Sequence, residues 1–182
     1  MRRRKRERVM KNGPWIKLDN FARSLAPALI TLGLILLSVM PTKIPAWSHI
    51  APALVLMSVY YWAIYRPDLL PASAIFVLGL IADILGGAPV GVHAFTLLTA
   101  YGLVVSQRRF FHGKSFGVVW WGFMLVAAGV MTLEWLLMSL LVGPGPIDPR
   151  PALFSLMLTA VIYPAVAMLF ISAHRVLPVS DD

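Results

Sequence analysis

Between Phe21 and Ser172 the sequence is a succession of apolar runs, each roughly 15–25 residues long, separated by proline, glycine and basic breakers. As a helix, at ~1.5 Å per residue, a run of that length approaches the ~30 Å thickness of a bilayer's hydrocarbon core. Only 13% of the residues are charged, whereas a soluble domain carries roughly 25%. With 59% apolar residues and a mean hydropathy of +0.78, lipid rather than water is the solvent that such a chain fits. The expected fold is therefore an all-α integral membrane protein, a six-transmembrane-helix bundle. The spans are expected at about Phe21–Met40, Ile50–Tyr65, Leu69–Leu85, Val90–Ser106, Phe116–Val142 and Pro151–Ser172. Around them the chain divides into a basic N-terminal segment (1–20), the membrane domain (21–172) and a short tail (173–182).

Charge gives this arrangement a direction. Nine of the sixteen Lys and Arg residues lie at or before Arg23, in a block that opens Arg2-Arg3-Arg4-Lys5-Arg6. Six crossings place fourteen of the sixteen on the side of the N-terminus and leave Lys43 and Arg150 on the other. Basic residues collect on the cytoplasmic side of a membrane, so both termini are expected to be cytoplasmic. A basic block abutting an apolar run is a membrane anchor rather than a nucleic-acid reader, and nothing remains from which to build a base-reading module. Tyr60, Tyr61, Trp62 and Tyr65 at the end of the second run read as an aromatic belt at the membrane interface. Pro164, near the middle of the last run, is expected to free a backbone carbonyl and to kink that helix. The absence of cysteine excludes disulfides and thiol chemistry.

The third and fourth runs form the most informative unit. They are joined by Gly86-Gly87-Ala88-Pro89-Val90-Gly91, with glycine to close one helix and proline to open the next. The result is a membrane hairpin with a carboxylate, Asp83, just below its tip. An ionised side chain in hydrocarbon costs at least ~2.5–3.5 kcal/mol, so Asp83 needs a partner. At a helix C-terminus it opposes the helix dipole, but it can reach across the turn to the free amides at Val90, Gly91 and Val92. On that reading Asp83 staples the hairpin, and Asp83→Asn should be mild whereas Asp83→Leu should lower folded yield. A proton or cation pathway through Asp83, His93 and Glu134 is the functional rival, with only Ser58, Thr99 and Ser139 to extend it. No histidine pair has metal-ligand spacing, the glycine-rich turn lacks the Lys-Ser/Thr ending of a phosphate loop, and no nucleophile-base arrangement can be assembled. No cofactor, metal or catalytic residue is therefore expected.

Small residues offer a second theme. Gly79 and Ala82 on the third run, and Gly122 and Ala128 on the fifth, permit close approach of helix backbones in lipid. Packing within the bundle is the plain reading. A surface for a partner's membrane helix, or for a second copy in a homodimer, is the sharper one.

Phe76, Gly79, Leu80, Asp83, Gly86, Pro89, Gly91 and His93 form a hairpin motif within a chain of this size and layout. In these features the chain resembles the bacterial rod shape-determining protein family MreD. The resemblance implies a non-enzymatic scaffold of the cell-elongation complex in the bacterial cytoplasmic membrane. It implies a membrane-helix contact with MreC, and through it a link from MreB filaments to the peptidoglycan-building pair, RodA and its penicillin-binding transpeptidase. The family is also similar in fold to the substrate-binding subunits of energy-coupling-factor transporters, which keeps a small-solute transporter or binding subunit as the alternative.

Overall fold

The computed structural model describes residues 14–39, 53–111, 113–142 and 148–176. Within them the chain forms six helices and no strand: α1 (Pro14–Val39), α2 (Leu54–Tyr65), α3 (Ala72–Gly86), α4 (Val92–Phe111), α5 (Phe116–Val142) and α6 (Arg150–Val176). Two helical stretches, Phe116–Val142 and Arg150–Leu169, are long and apolar enough to cross a membrane. The first helix starts at Pro14, a good first helical residue because its ring presets φ and it has no N–H to leave unpaired. Helix α1 therefore begins before the expected span at Phe21, and α6 runs past Ser172 to Val176. The helices found where spans were expected at Leu69–Leu85 and Val90–Ser106 lie further toward the C-terminus, at Ala72–Gly86 and Val92–Phe111.

The shortest helix lies at the centre. α2 has twelve residues, about 18 Å at ~1.5 Å per residue, and every residue from Leu56 to Ile64 is buried. A helix that is apolar around its whole circumference has no solvent face to offer, so its neighbours enclose it. It touches α1, α4, α5 and α6, while successive contacts α1–α3, α3–α4, α4–α5 and α5–α6 make an arc around it. This overturns the reading of its aromatic residues as an interfacial belt. Tyr60, Tyr61 and Trp62 belong to the core, and only Tyr65 is exposed.

Tyr60 anchors an aromatic cluster in that core. Its ring meets Phe123 and Tyr163 edge-on at centroid distances of 5.1 and 6.0 Å, and Phe123 stacks on Tyr163 at 4.0 Å. Its hydroxyl donates to the Val119 carbonyl at 2.9 Å, so the polar end of a buried ring is satisfied across to α5. Other buried hydroxyls also work between helices. Thr31 on α1 shares a 2.8 Å hydrogen bond with Ser58 on α2, and the amide of Ala53 donates to Thr159 on α6 at 2.9 Å.

Pro164 has a specific consequence. Proline carries no N–H, so the carbonyl four residues earlier, Ala160, loses its helical donor. The indole Nε1 of Trp120 on α5 donates to that oxygen at 3.1 Å. The gap in the α6 ladder is thus closed by a neighbouring helix, as backbone groups in a water-poor setting require.

Candidate functional site: a three-helix junction at the hairpin tip

The α3–α4 hairpin is shaped by its glycines. Gly87 follows the end of α3 in the left-handed conformation (φ 70°), and its N–H bonds back to the Asp83 carbonyl. Gly91 has φ 103°, which a residue with a Cβ adopts only under strain. Lower in the hairpin the two backbones nearly touch. A Cβ built on Gly79 would collide with the Cα of Ala94 and come within 2.8 Å of its amide nitrogen. Helix α3 is glycine at this position because α4 occupies the space.

That approach brings Asp83 against the first turn of α4. Its side chain is fully buried. One carboxylate oxygen, Oδ2, accepts the N–H of Gly91 at 2.8 Å. The other, Oδ1, accepts the N–H of His93 at 2.9 Å and faces His93 Nδ1 at 2.8 Å. Of the amides expected from the sequence, Val90, Gly91 and Val92, the carboxylate reaches Gly91 and takes His93 besides; the Val92 N–H bonds instead to the Pro89 carbonyl. Orphan donors at a helix N-terminus and a buried carboxylate satisfy each other, with the positive end of the α4 dipole beside the charge. The far side of the imidazole reaches a third helix, with His93 Nε2 lying 3.3 Å from Glu134 Oε1 on α5.

The histidine therefore stands between two carboxylates. Both contacts are hydrogen bonds when both ring nitrogens donate, or when Glu134 carries the proton and donates to Nε2. Either arrangement leaves one net negative charge on the three side chains. The Asp83 end is sealed, whereas His93 and Glu134 are 31% and 32% exposed along their side chains, so the outer contact is the more accessible one. Thr96 adds a hydroxyl bond to the His93 carbonyl at 3.1 Å. Of the three hydroxyls named above as extensions, Ser58 bonds to Thr31 and Thr99 to the Phe95 carbonyl. Among the described residues no group of three or more His, Cys, Asp or Glu is arranged to hold a metal ion.

The remaining motif residues divide by face. Leu80 is half-buried, while Phe76 and Gly86 are exposed. Pro89 supplies the carbonyl that opens α4. Of the four small residues considered as a partner surface, three are occupied inside the bundle. Gly79 packs on Ala94 and Ala82 is buried; a Cβ on Gly122 would strike the Phe111 ring and approach the Tyr60 hydroxyl at 2.9 Å. Ala128 is half-buried and adjoins the exposed Gly129. The convergence of His93 and Glu134 was foreseeable only in outline: charged groups in an apolar stretch must find one another. Of the three other histidines, His174 lies in α6, and His49 and His112 lie outside the described residues.

The sequence matches the family model described as rod shape-determining protein MreD over residues 21–173, most of the chain. The chain belongs to the MreD family. It thereby has a role in rod-shape determination, and MreD is a membrane-associated, structural family rather than a known enzyme family. No curated protein and no solved structure matches the chain. In MreD terms, the three-helix junction lies within the matched region, as do all six helices apart from the first residues of α1 and the last of α6.

Proposed function

We propose that this MreD-family protein is a non-enzymatic membrane scaffold that binds MreC and so connects MreB filaments to peptidoglycan synthesis by RodA and its penicillin-binding transpeptidase. The observation that carries this reading is the use made of the chemically capable side chains. Asp83, His93 and Glu134 hold α3, α4 and α5 to one another. A protein whose polar groups act as fastenings delivers its output through lateral helix contacts. The proposed topology is six crossings with both termini cytoplasmic, supported by the fourteen-to-two division of basic residues and by the short described connections at 66–71 and 87–91. The proposed division into N-terminal segment, membrane domain and tail follows from it. The likeness in fold to energy-coupling-factor substrate-binding subunits rests on the family resemblance.

With Gly79, Ala82 and Gly122 taken up internally, the partner surface is reassigned to the outer face of α5. There Trp121, Leu125, Gly129, Thr132 and Leu136 are exposed, and Gly129 has open space beside it. A small residue in the middle of a large-residue ridge gives a partner helix a place to approach. The test is affinity purification from membranes in mild detergent, followed by identification of co-purifying proteins. MreC should accompany the parent chain and be depleted by Gly129→Leu, while Gly33→Leu on α1, also facing open space, should retain it. Equal recovery with all three chains removes this surface. Failure of MreC to accompany the parent removes the scaffold reading, and recovery of an ATPase pair instead replaces it with solute transport.

A further inference from the structure

A cleft of about 400 Å³ lies at the end of the bundle opposite the hairpin tip, lined by Ile64, Tyr65, Pro67, Asp68, Arg108 and Arg109. One wall is the α2–α3 connection, folded tightly by the Leu69 N–H to Arg66 carbonyl bond at 3.1 Å. The other wall is the last turn of α4, where the two arginines sit at the negative end of the helix dipole. Tyr101, about two α4 turns below at ~3.6 residues per turn, donates to the Pro67 carbonyl at 3.5 Å and ties the walls together. Of the lining residues Ile64 is buried, while Tyr65 is exposed.

We propose that this cleft binds the head group of an anionic glycerophospholipid. Two guanidiniums present planar, forked donors suited to phosphate oxygens, and arginine is the side chain best matched to that geometry. The lining carries two positive charges against the single carboxylate of Asp68, and Arg66 adjoins it. A net positive lining favours a head group with a net negative charge over a zwitterionic one. Asp68 adds an acceptor for a head-group hydroxyl. The exposed ring of Tyr65 gives the acyl chains a surface to follow, which free phosphate would not use. Basic pockets between membrane helices on the cytoplasmic side are recurrent seats for such lipids, and the proposed topology puts this end of α4 there. The assignment to a leaflet rests on that topology, whereas binding in detergent does not.

The experiment titrates the full chain in detergent with dioctanoyl phosphatidylglycerol, dioctanoyl phosphatidylcholine and inorganic phosphate, read by native mass spectrometry and by thermal protection. Phosphatidylglycerol should bind and protect, and the double variant Arg108→Gln/Arg109→Gln should weaken it about tenfold or more. Lys114→Gln removes the same charge from the same end outside the cleft and should stay within about twofold of the parent. The thermal midpoint of the double variant without lipid, measured alongside, separates lost binding from lost folding. Equal weakening by Lys114→Gln, equal binding of phosphatidylcholine, or protection by inorganic phosphate as great as by lipid would each overturn the assignment.

Discussion

Replacing Asp83 with asparagine alters almost no volume and tests the junction directly. In the parent each carboxylate oxygen accepts a backbone N–H, Oδ2 from Gly91 and Oδ1 from His93, and Oδ1 also faces the imidazole. An asparagine offers one acceptor oxygen and one donor group. Whichever way it is turned, its NH₂ confronts a backbone N–H and leaves that amide unpaired. An unsatisfied buried donor costs about 1–3 kcal/mol, and the surviving bond falls from charge-assisted to neutral, a further loss of roughly 1 kcal/mol. The expected destabilisation is about 2–4 kcal/mol, which replaces the mild effect anticipated from side-chain shape. Asp83→Leu orphans both amides and should cost roughly 3–6 kcal/mol. His93→Ala keeps both of Asp83's backbone bonds and should fall below the leucine variant. Reversible unfolding in mixed detergent micelles gives the three values. An asparagine variant within ~0.5 kcal/mol of the parent, or one as damaged as the leucine variant, would refute the donor count.

The neighbouring features make further expectations. Gly79→Ala should sharply reduce folded yield, and Ala94→Gly should not rescue it, because the collision is with the Ala94 Cα rather than only its methyl group; recovery of monodisperse protein by size exclusion measures both. Gly122→Ala should lower the unfolding midpoint by displacing Phe111 and the Tyr60 hydroxyl, and Phe111→Leu should recover part of the loss. Trp120→Phe should cost about 1 kcal/mol through the exposed Ala160 carbonyl, and less in a Pro164→Ala background where the helical N–H returns; a double-mutant cycle reads the coupling. At the outer contact, His93→Ala and Glu134→Ala should couple by roughly 0.6–1.7 kcal/mol in the same format, below the effect of Asp83→Leu.

The sequence made the six helices readable through apolar runs and their breakers, and α5 was legible to both of its ends. The helix, turn and helix at 72–111, with glycine closing α3, were legible for the same reason. Periodicity is uninformative for a run apolar on every side, so nothing local distinguished Tyr60, Tyr61 and Trp62 in the core from a belt at the interface. Asp83's need of amides across the turn followed from helix-end chemistry, but the choice of Gly91 and His93 depends on the left-handed turn at Gly87 and on Gly91's φ. The arrival of Glu134 at His93 depends on how α5 packs against α4, a pairing forty-one positions apart in the chain that no local signal encodes. Pro164 announced a freed carbonyl; that Trp120 would fill it required knowing which face of α5 adjoins α6.

The position of α2 in the chain has a consequence for synthesis. The polypeptide makes its innermost described helix early, yet Phe123, Val119 and Tyr163, which enclose Tyr60, emerge only with α5 and α6. Until they do, α2 is held by α1 and α4 alone, and the Tyr60 side of it stands without its aromatic walls. A ribosome-bound intermediate ending after α4 should therefore engage insertion factors for longer than its hydrophobicity alone would require, and separately expressed halves should depend on meeting each other before either is degraded.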